Sequence, residues 1–269
     1  MNDPKVDFAF SSCPNDTFAF HALVHGLVGG VRVTPHVDDI EALNIRAARG
    51  DAEVTKVSIA AYGHGLRDRY VLLRAGGAAG FGVGPIVVAR SQREVGGRIA
   101  IPGERTTANL LLRLLGTFDT ILMRFDQIED AVLRGDADCG LLIHEGRFTY
   151  EKKGLTLLCD LGTIWEERMQ CPLPLAAIAI RRDLAPRLAA IVDDALRASV
   201  EHAFAHPDAS RDYVASLAQE MDPDVTARHI QLYVNEYTRA LDERAVVRML
   251  QWGEDADVFP RLPDQPIFA

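Results

Sequence analysis

The residues best suited to chemistry lie in Cys139-Gly140-Leu141-Leu142-Ile143-His144-Glu145-Gly146-Arg147, where an apolar run breaks off into histidine, glutamate, glycine and arginine. A run of that length reads as a buried strand. In an open α/β sheet, ligands bind beyond the carboxyl ends of the strands, where loops present polar groups to a crevice. A histidine there is a candidate general base, because its ordinary pKa lies near neutrality. Taken alone, the run favours a plainer reading, a half-buried histidine closing a strand and bonded to backbone.

Three other junctions carry polar clusters: Asn15-Asp16-Thr17, Ser58, and Thr106-Thr107-Ala108-Asn109. Thr106 and Thr107 open a helix after the turn Pro102-Gly103, and free N–H groups at a helix start can hold a carboxylate or phosphate. Threonine capping explains the same residues without a ligand. Asn15-Asp16-Thr17 is likewise good capping sequence, and Asn44 and Arg147 are candidates by position alone. Ser58 lacks the glycine flanks of a nucleophile elbow, which leaves a Ser58/His144/Asp16 triad as a minor alternative. His21 and His25 have metal-binding spacing, but Ala22 stands where a metalloprotease motif has glutamate. They read as core or surface histidines. The Gly80-Phe81-Gly82-Val83-Gly84 run leads into Pro85 and a strand, so it has no helix N-terminus with which to cradle phosphate.

The elements that must position these residues alternate. Strands are expected over 6–11, 31–37, 52–57, 70–74 and 85–90, with helices over 17–26, 40–49 and 58–66 between the earlier ones. A second set follows: strands over 98–101, 121–125, 139–143 and 155–161, and helices over 106–115 and 127–134. A Trp-containing loop then leads to a strand over 174–180, and from 184 to 252 almost everything reads as helix, with turns at 205–207 and 221–223. This predicts an α/β protein of two lobes with two mostly parallel sheets flanked by helices and a central cleft. Residues 1–88 and 176–269 form lobe I, including the C-terminal helices, and residues 89–175 form lobe II. All four polar junctions then open toward one crevice.

The formal charge of -9 and the pI near 5.4 argue against a nucleic-acid partner. Cys13, Cys139, Cys159 and Cys171 have no zinc spacing, and the apolar surroundings of Cys139 and Cys159 favour buried free thiols over disulfides. No apolar run approaches the roughly 20 residues of a membrane helix, and the first residues lack the basic start and apolar core of a signal peptide. The expectation is a cytoplasmic protein without membrane contact, as a monomer or homodimer.

Several stretches together resemble the 1,4-dihydroxy-6-naphthoate synthase family of the futalosine route to menaquinone. They are residues 12–18 and 20–26, Thr55-Lys56-Val57-Ser58, Arg105-Thr106-Thr107-Ala108 and, most specifically, residues 140–150. The resemblance extends from Phe8 to the helical tail. One departure is visible: Ser12 stands where the family has the first proline of Ser-Pro-Cys-Pro-Asn-Asp, which loosens the loop but keeps Asn15 and Asp16. The resemblance implies a periplasmic-binding-protein-like fold and conversion of cyclic dehypoxanthine futalosine to 1,4-dihydroxy-6-naphthoate without cofactor or metal. It implies His144 as base, and ligand contacts at Lys56, Val57, Ser58, Thr107 and Ala108. A chorismate dehydratase-like enzyme of the same route and a non-catalytic solute-binding protein are the alternatives. The run 144–150 points away from the first, and the lack of a signal peptide from the second.

Overall fold

The computed structural model describes residues 3–218, 222–261 and 264–269. Of the expected turn at 221–223, Met221 lies outside the described residues. The chain begins as β1 (Lys5–Ser11), α1 (Pro14–Val24), β2 (Arg32–Asp38), α2 (Ile40–Arg49), β3 (Val54–Ser58), α3 (Ile59–Ala61), β4 (Tyr70–Leu72) and β5 (Ala78–Gly80). It continues through β6 (Ile86–Ala89), β7 (Arg98–Ile101), α4 (Thr107–Leu112), β8 (Asp119–Leu122), α5 (Ile128–Arg134), β9 (Cys139–Leu142), α6 (Gly146–Thr149), β10 (Thr156–Asp160) and α7 (Leu161–Met169). Then come β11 (Leu173–Arg181), α8 (Ala185–Ala205), α9 (Arg211–Leu217), α10 (Pro223–Tyr233), α11 (Glu236–Arg239) and α12 (Glu243–Asp255).

The strands form two sheets, ordered β2-β1-β3-β11-β4 with β5 on β11, and β10-β6-β9-β7-β8. The expected mostly parallel sheets are instead mixed. β1 is parallel to β2 and β3, while β11 is antiparallel to β3, β4 and β5. In the second sheet β7 is parallel to β8 and β9, while β6 is antiparallel to β9 and β10. The reason is connectivity. Parallel neighbours need a crossover that returns the chain to the same end of the sheet. β6 and β11 instead arrive by crossing from the other sheet and enter against its direction. The change of sheet falls before Ile86 and again before Leu173, a few residues earlier than the expected points at 88/89 and 175/176.

Local signals explain most elements. Asp39 caps α2 by accepting from the N–H groups of Glu41 and Ala42, and Gly50 ends it in the left-handed region. α1 starts three residues earlier than expected, at Pro14, because proline suits the first helical position, where its missing N–H is not needed. Asn15, Asp16 and Thr17 therefore occupy its first turn rather than a preceding loop. The expected Trp-containing loop is a second correction: it is α7, capped by Asp160 through Gly162 N and Thr163 N. Gly162 and the β-branched Thr163 and Ile164 have poor helix propensity. Burial of Trp165, edge-on to Trp252 at 5.8 Å, outweighs it.

One core lies between the first sheet and helices α1 and α8, with Phe8, Phe10 and Phe20 in ring contact and Val192, Leu196 and Val200 of α8 opposite. A second core runs across both sheets, joining Val57 and Ala177 to Ile99, Leu141 and Trp165, with Met249 and Leu250 of α12. The helical tail thus covers the first sheet and reaches the junction. Among the described residues no helix is long and apolar enough to cross a membrane.

The loop into β6 touches the start of α7 backbone to backbone, since a Cβ on Gly162 would lie 2.6 Å from Gly84 Cα. Neither chain can yield without moving a sheet strand. Gly162→Ala is expected to destabilise the fold by about 2 kcal/mol or more through overpacking, read from urea unfolding. A loss below about 0.5 kcal/mol would show that the contact gives way freely.

Candidate functional site

Four strand-to-helix junctions converge on one cavity. It is walled by Ser11, Asn15, Asp16, Lys56 and Ser58 from the first sheet and by Thr106, Thr107, Ala108 and His144 from the second, and His229 and Tyr233 of α10 complete it. The space free of protein atoms, partly open to solvent, is about 630 Å³.

His144 follows β9 and Ile143 with φ +56, a left-handed conformation that a residue with a Cβ adopts at a cost of about 1–2 kcal/mol. That conformation turns the chain sharply between the strand and α6. Cys13 Sγ lies 3.2 Å from its Nδ1 and 3.5 Å from its Nε2, and the Phe125 ring meets it edge-on at 5.0 Å. Burial lowers the His144 pKa to about 4, with Lys56 lowering it further and Asp16 opposing. At neutral pH the imidazole is uncharged and keeps a basic lone pair. Burial, with Glu145 next in weight, pushes the Cys13 thiol well above its ordinary range, so a thiol rather than a thiolate faces the ring.

The floor is a buried charge network at the α1 start. Asp16 Oδ1 accepts from Lys56 Nζ at 2.6 Å and from Asn15 Nδ2 at 3.0 Å, while Oδ2 accepts from Ser11 N and Oγ. Lys56 Nζ also donates to Gly76 O at 3.0 Å, which leaves one N–H for a ligand. Both partners are nearly solvent-free. Alternation along β3 puts Lys56 and Ser58 on the cavity side and Val57 in the core on the other. Ser58 N donates to Asn44 Oδ1, and Ser58 Oγ accepts from Asn44 Nδ2 at 3.0 Å. The serine hydroxyl hydrogen therefore remains available to the cavity.

On the opposite wall Thr106 is the cap the sequence allows, accepting from Asn109 N and donating to Gly103 O. Thr107 Oγ1 donates to Leu175 O at 2.7 Å and accepts from Ala60 N at 3.3 Å, tying α4 to β11 and α3. With that hydroxyl spent between the sheets, the group Thr107 can offer a ligand is its backbone N–H.

Most of the residues singled out from sequence meet here: His144, Lys56, Ser58, Thr106, Thr107, Ala108, Asn15 and Asp16. Val57, Asn44 and Arg147 do not line the cavity. Val57 is core, and Asn44 holds Ser58. Arg147 donates to Gly84 O and pairs with Asp160 Oδ2 at 2.6 Å. The Ser58/His144/Asp16 triad is not formed, because the His144 ring nitrogens lie against Cys13 Sγ and Asp16 is engaged by Lys56, Ser11 and Asn15. The His21 and His25 rings lie 4.4 Å apart, tilted by 36°, beside Tyr213, with His25 Nδ1 2.9 Å from His21 O. Among the described residues no three acidic, His or Cys groups gather as a metal site. Sequence reasoning missed Ser11, which ends β1 as Ser58 ends β3 and was open to the same argument. It also missed His229 and Tyr233, whose i, i+4 placement in an amphipathic tail carries no local sign of a cleft.

A family model described as menaquinone biosynthesis matches residues 6–254. The 1,4-dihydroxy-6-naphthoate synthase of Thermus thermophilus is 46% identical over 266 residues, covering 96% of this chain and 97% of that protein. A crystal structure of an Archaeoglobus fulgidus protein superimposes with a TM-score of 0.90 at 38% identity, covering 95% of this chain and 98% of the other. The alkanesulfonate-binding protein of Xanthomonas axonopodis pv. citri superimposes with a TM-score of 0.73 at 13% identity, covering 97% of this chain and 96% of that one. This last likeness shows the periplasmic-binding-protein fold and no more.

Proposed function

Because the chain belongs to the menaquinone biosynthesis family, among the 1,4-dihydroxy-6-naphthoate synthases, we propose that it converts cyclic dehypoxanthine futalosine to 1,4-dihydroxy-6-naphthoate with His144 as general base. The observation that carries this reading is a neutral histidine, held in a left-handed turn, on the wall of the interlobe cavity. The substrate joins a ribose-derived part to the future naphthalene ring at a spiro carbon. Removing one proton drives cleavage of that bond, because the ring becomes aromatic as the sugar fragment leaves. Such a step needs a placed base, anchors for the substrate's oxygens and a site from which water is excluded.

The residues present divide these tasks. His144 takes the proton. Ser58 Oγ–H, the remaining Lys56 N–H and the N–H groups of Thr107 and Ala108 hold anionic or hydroxyl oxygens. Thr107 and the contact of Glu41 Oε1 with Arg105 N, at 3.1 Å, hold the two sheets together over the ligand. In this reading the two lobes, one built on each sheet, open and close about the crossings into β6 and β11, and the enzyme works in the cytoplasm. The direct test is to incubate the purified protein with cyclic dehypoxanthine futalosine and follow naphthoate by absorbance and mass. No product at micromolar enzyme would sink the assignment.

The pH dependence follows from the lowered His144 pKa. The base is competent above about 4, so kcat/KM is expected to be level from pH 5.5 to 7.5, with no acid limb near the ordinary histidine value of about 6.5. For stability the sign is fixed: a folded pKa below the unfolded one gives a contribution present above about pH 6.5 and lost as pH falls through about 4. A kcat/KM limb centred near 6.5 would show that His144 titrates as a solvated histidine.

A further inference from the structure

α10 sends two residues into the cavity wall four positions apart, and so on one helix face: His229 and Tyr233. His229 is 1% exposed. Its Nε2 lies 3.0 Å from Asn15 Oδ1, and its ring is 4.6 Å from Tyr233 and 6.3 Å from His144, the latter inclined by 28°. Its Nδ1 has no hydrogen-bond partner.

The protonation pattern of this ring can be read along a chain that begins at Lys56. Lys56 Nζ binds Asp16 Oδ1, and the same oxygen lies 3.0 Å from Asn15 Nδ2. A carboxylate is an acceptor only, so the Asn15 amide must turn its NH2 toward Asp16. Its carbonyl then faces His229, and Nε2 must carry the imidazole hydrogen. Nδ1 is left as a bare nitrogen, which agrees with its having no partner. Protonating it would bury an unpaired cationic N–H beside His144, far costlier than a bare acceptor. Burial, with His144 next in weight, correspondingly holds the His229 pKa well below its ordinary value.

We propose that His229 is a positioning residue of this site: as the neutral Nε2–H tautomer it locks the Asn15 amide, so that the second Nδ2 hydrogen is presented to the cavity as a donor to a ligand oxygen. Asn15 has three amide functions besides its carbon frame, and two are fixed by the protein: Oδ1 by His229 and one Nδ2 hydrogen by Asp16. Without His229 the bond to Asp16 is the one remaining side-chain tether on the amide, which can then rock about it and no longer holds its second Nδ2 hydrogen at a fixed place in the cavity. The helical tail thereby fixes where the cleft offers this donor. The proposal rests on the catalytic reading of the cavity but makes claims that can be measured without turnover.

Two variants separate the hydrogen bond from the ring. His229→Gln places an amide N–H near the Nε2 position, and His229→Phe keeps the ring but has no donor. His229→Phe is expected to lower kcat by about 10- to 100-fold, the cost of misplacing a substrate-orienting group. His229→Gln should recover most of that loss. In an Asn15→Ala background His229→Phe should have no further effect, because both changes remove one interaction. Nitrogen-15 NMR of the ligand-free protein should show the Nε2–H tautomer of His229 between pH 6 and 8. An Nδ1–H tautomer, wild-type kcat in His229→Phe, or additive losses in the double variant would overturn the proposal. If wild-type protein fails to turn over cyclic dehypoxanthine futalosine, the functional reading falls. The tautomer, with thermal unfolding of the same double-variant set, then decides this inference alone.

Discussion

His144→Asn is expected to lower kcat by about a thousandfold or more while the variant still folds and binds 1,4-dihydroxy-6-naphthoate. General-base catalysis by a placed side chain is worth about 10²–10⁴ in rate. Asparagine is the informative replacement, because His144 sits at φ +56 and asparagine is among the few residues with a Cβ that accept the left-handed region readily. Alanine there would mix loss of the base with backbone strain in the turn from β9 to α6. Asparagine keeps the turn and removes only the basic nitrogen. Unfolding midpoint, product binding by fluorescence titration and single-turnover rate measured together make the result unambiguous. Turnover within tenfold of wild type would move the base elsewhere in the cavity. Loss of product binding along with turnover would make His144 a ligand anchor instead.

Lys56→Met is expected to cost about 3–5 kcal/mol of stability, the range for breaking a buried ion pair by removing one partner. Lys56 and Asp16 are 3% and 2% exposed at 2.6 Å separation, so neither charge can recover its solvation when the other is lost. The remaining carboxylate would keep Ser11 and Asn15 as donors, which soften the loss without cancelling the charge. Asp16→Asn leaves the opposite problem, a buried ammonium whose remaining acceptors, Gly76 O among them, carry no charge. The double variant Lys56→Met with Asp16→Asn removes both charges and should regain a good part of either single loss. Urea unfolding of the four proteins gives the coupling directly. A single-variant cost below about 1 kcal/mol would mean that the pair behaves like a solvated surface bridge.

These two results bear on how the site was assembled from sequence. His144, Ser58, Thr106 and Asp16 were legible because each stands where an apolar run ends, and the end of a strand is where polar side chains leave the core. Thr107 was legible as a helix start, but its hydroxyl turned out to hold the sheets together. Asn44 and Arg147 were chosen by position, and the structure gives them supporting partners, Ser58 and Asp160, rather than a place on the cavity wall. The helix at Trp165 was not legible, since Gly162, Thr163 and Ile164 disfavour helix and only packing against Trp252 and the second core reverses that.

Sequence by itself determined the alternation of strands and helices, the helix cap at Thr106, and the four junctions where chemistry could sit. Each is a local property, carried by periodicity and by side chains that bond to backbone a few residues away. Tertiary structure alone decided that both sheets are mixed, that Lys56 and Asp16, forty positions apart, neutralise one another, and that Cys13 lies against the ring of His144. It also brought His229 back from the helical tail, 214 positions along the chain, to hold Asn15. These are contacts between segments with no local signature. They exist because burying the apolar faces of β3, β9 and α10 leaves their polar ends nowhere to meet but in the cleft.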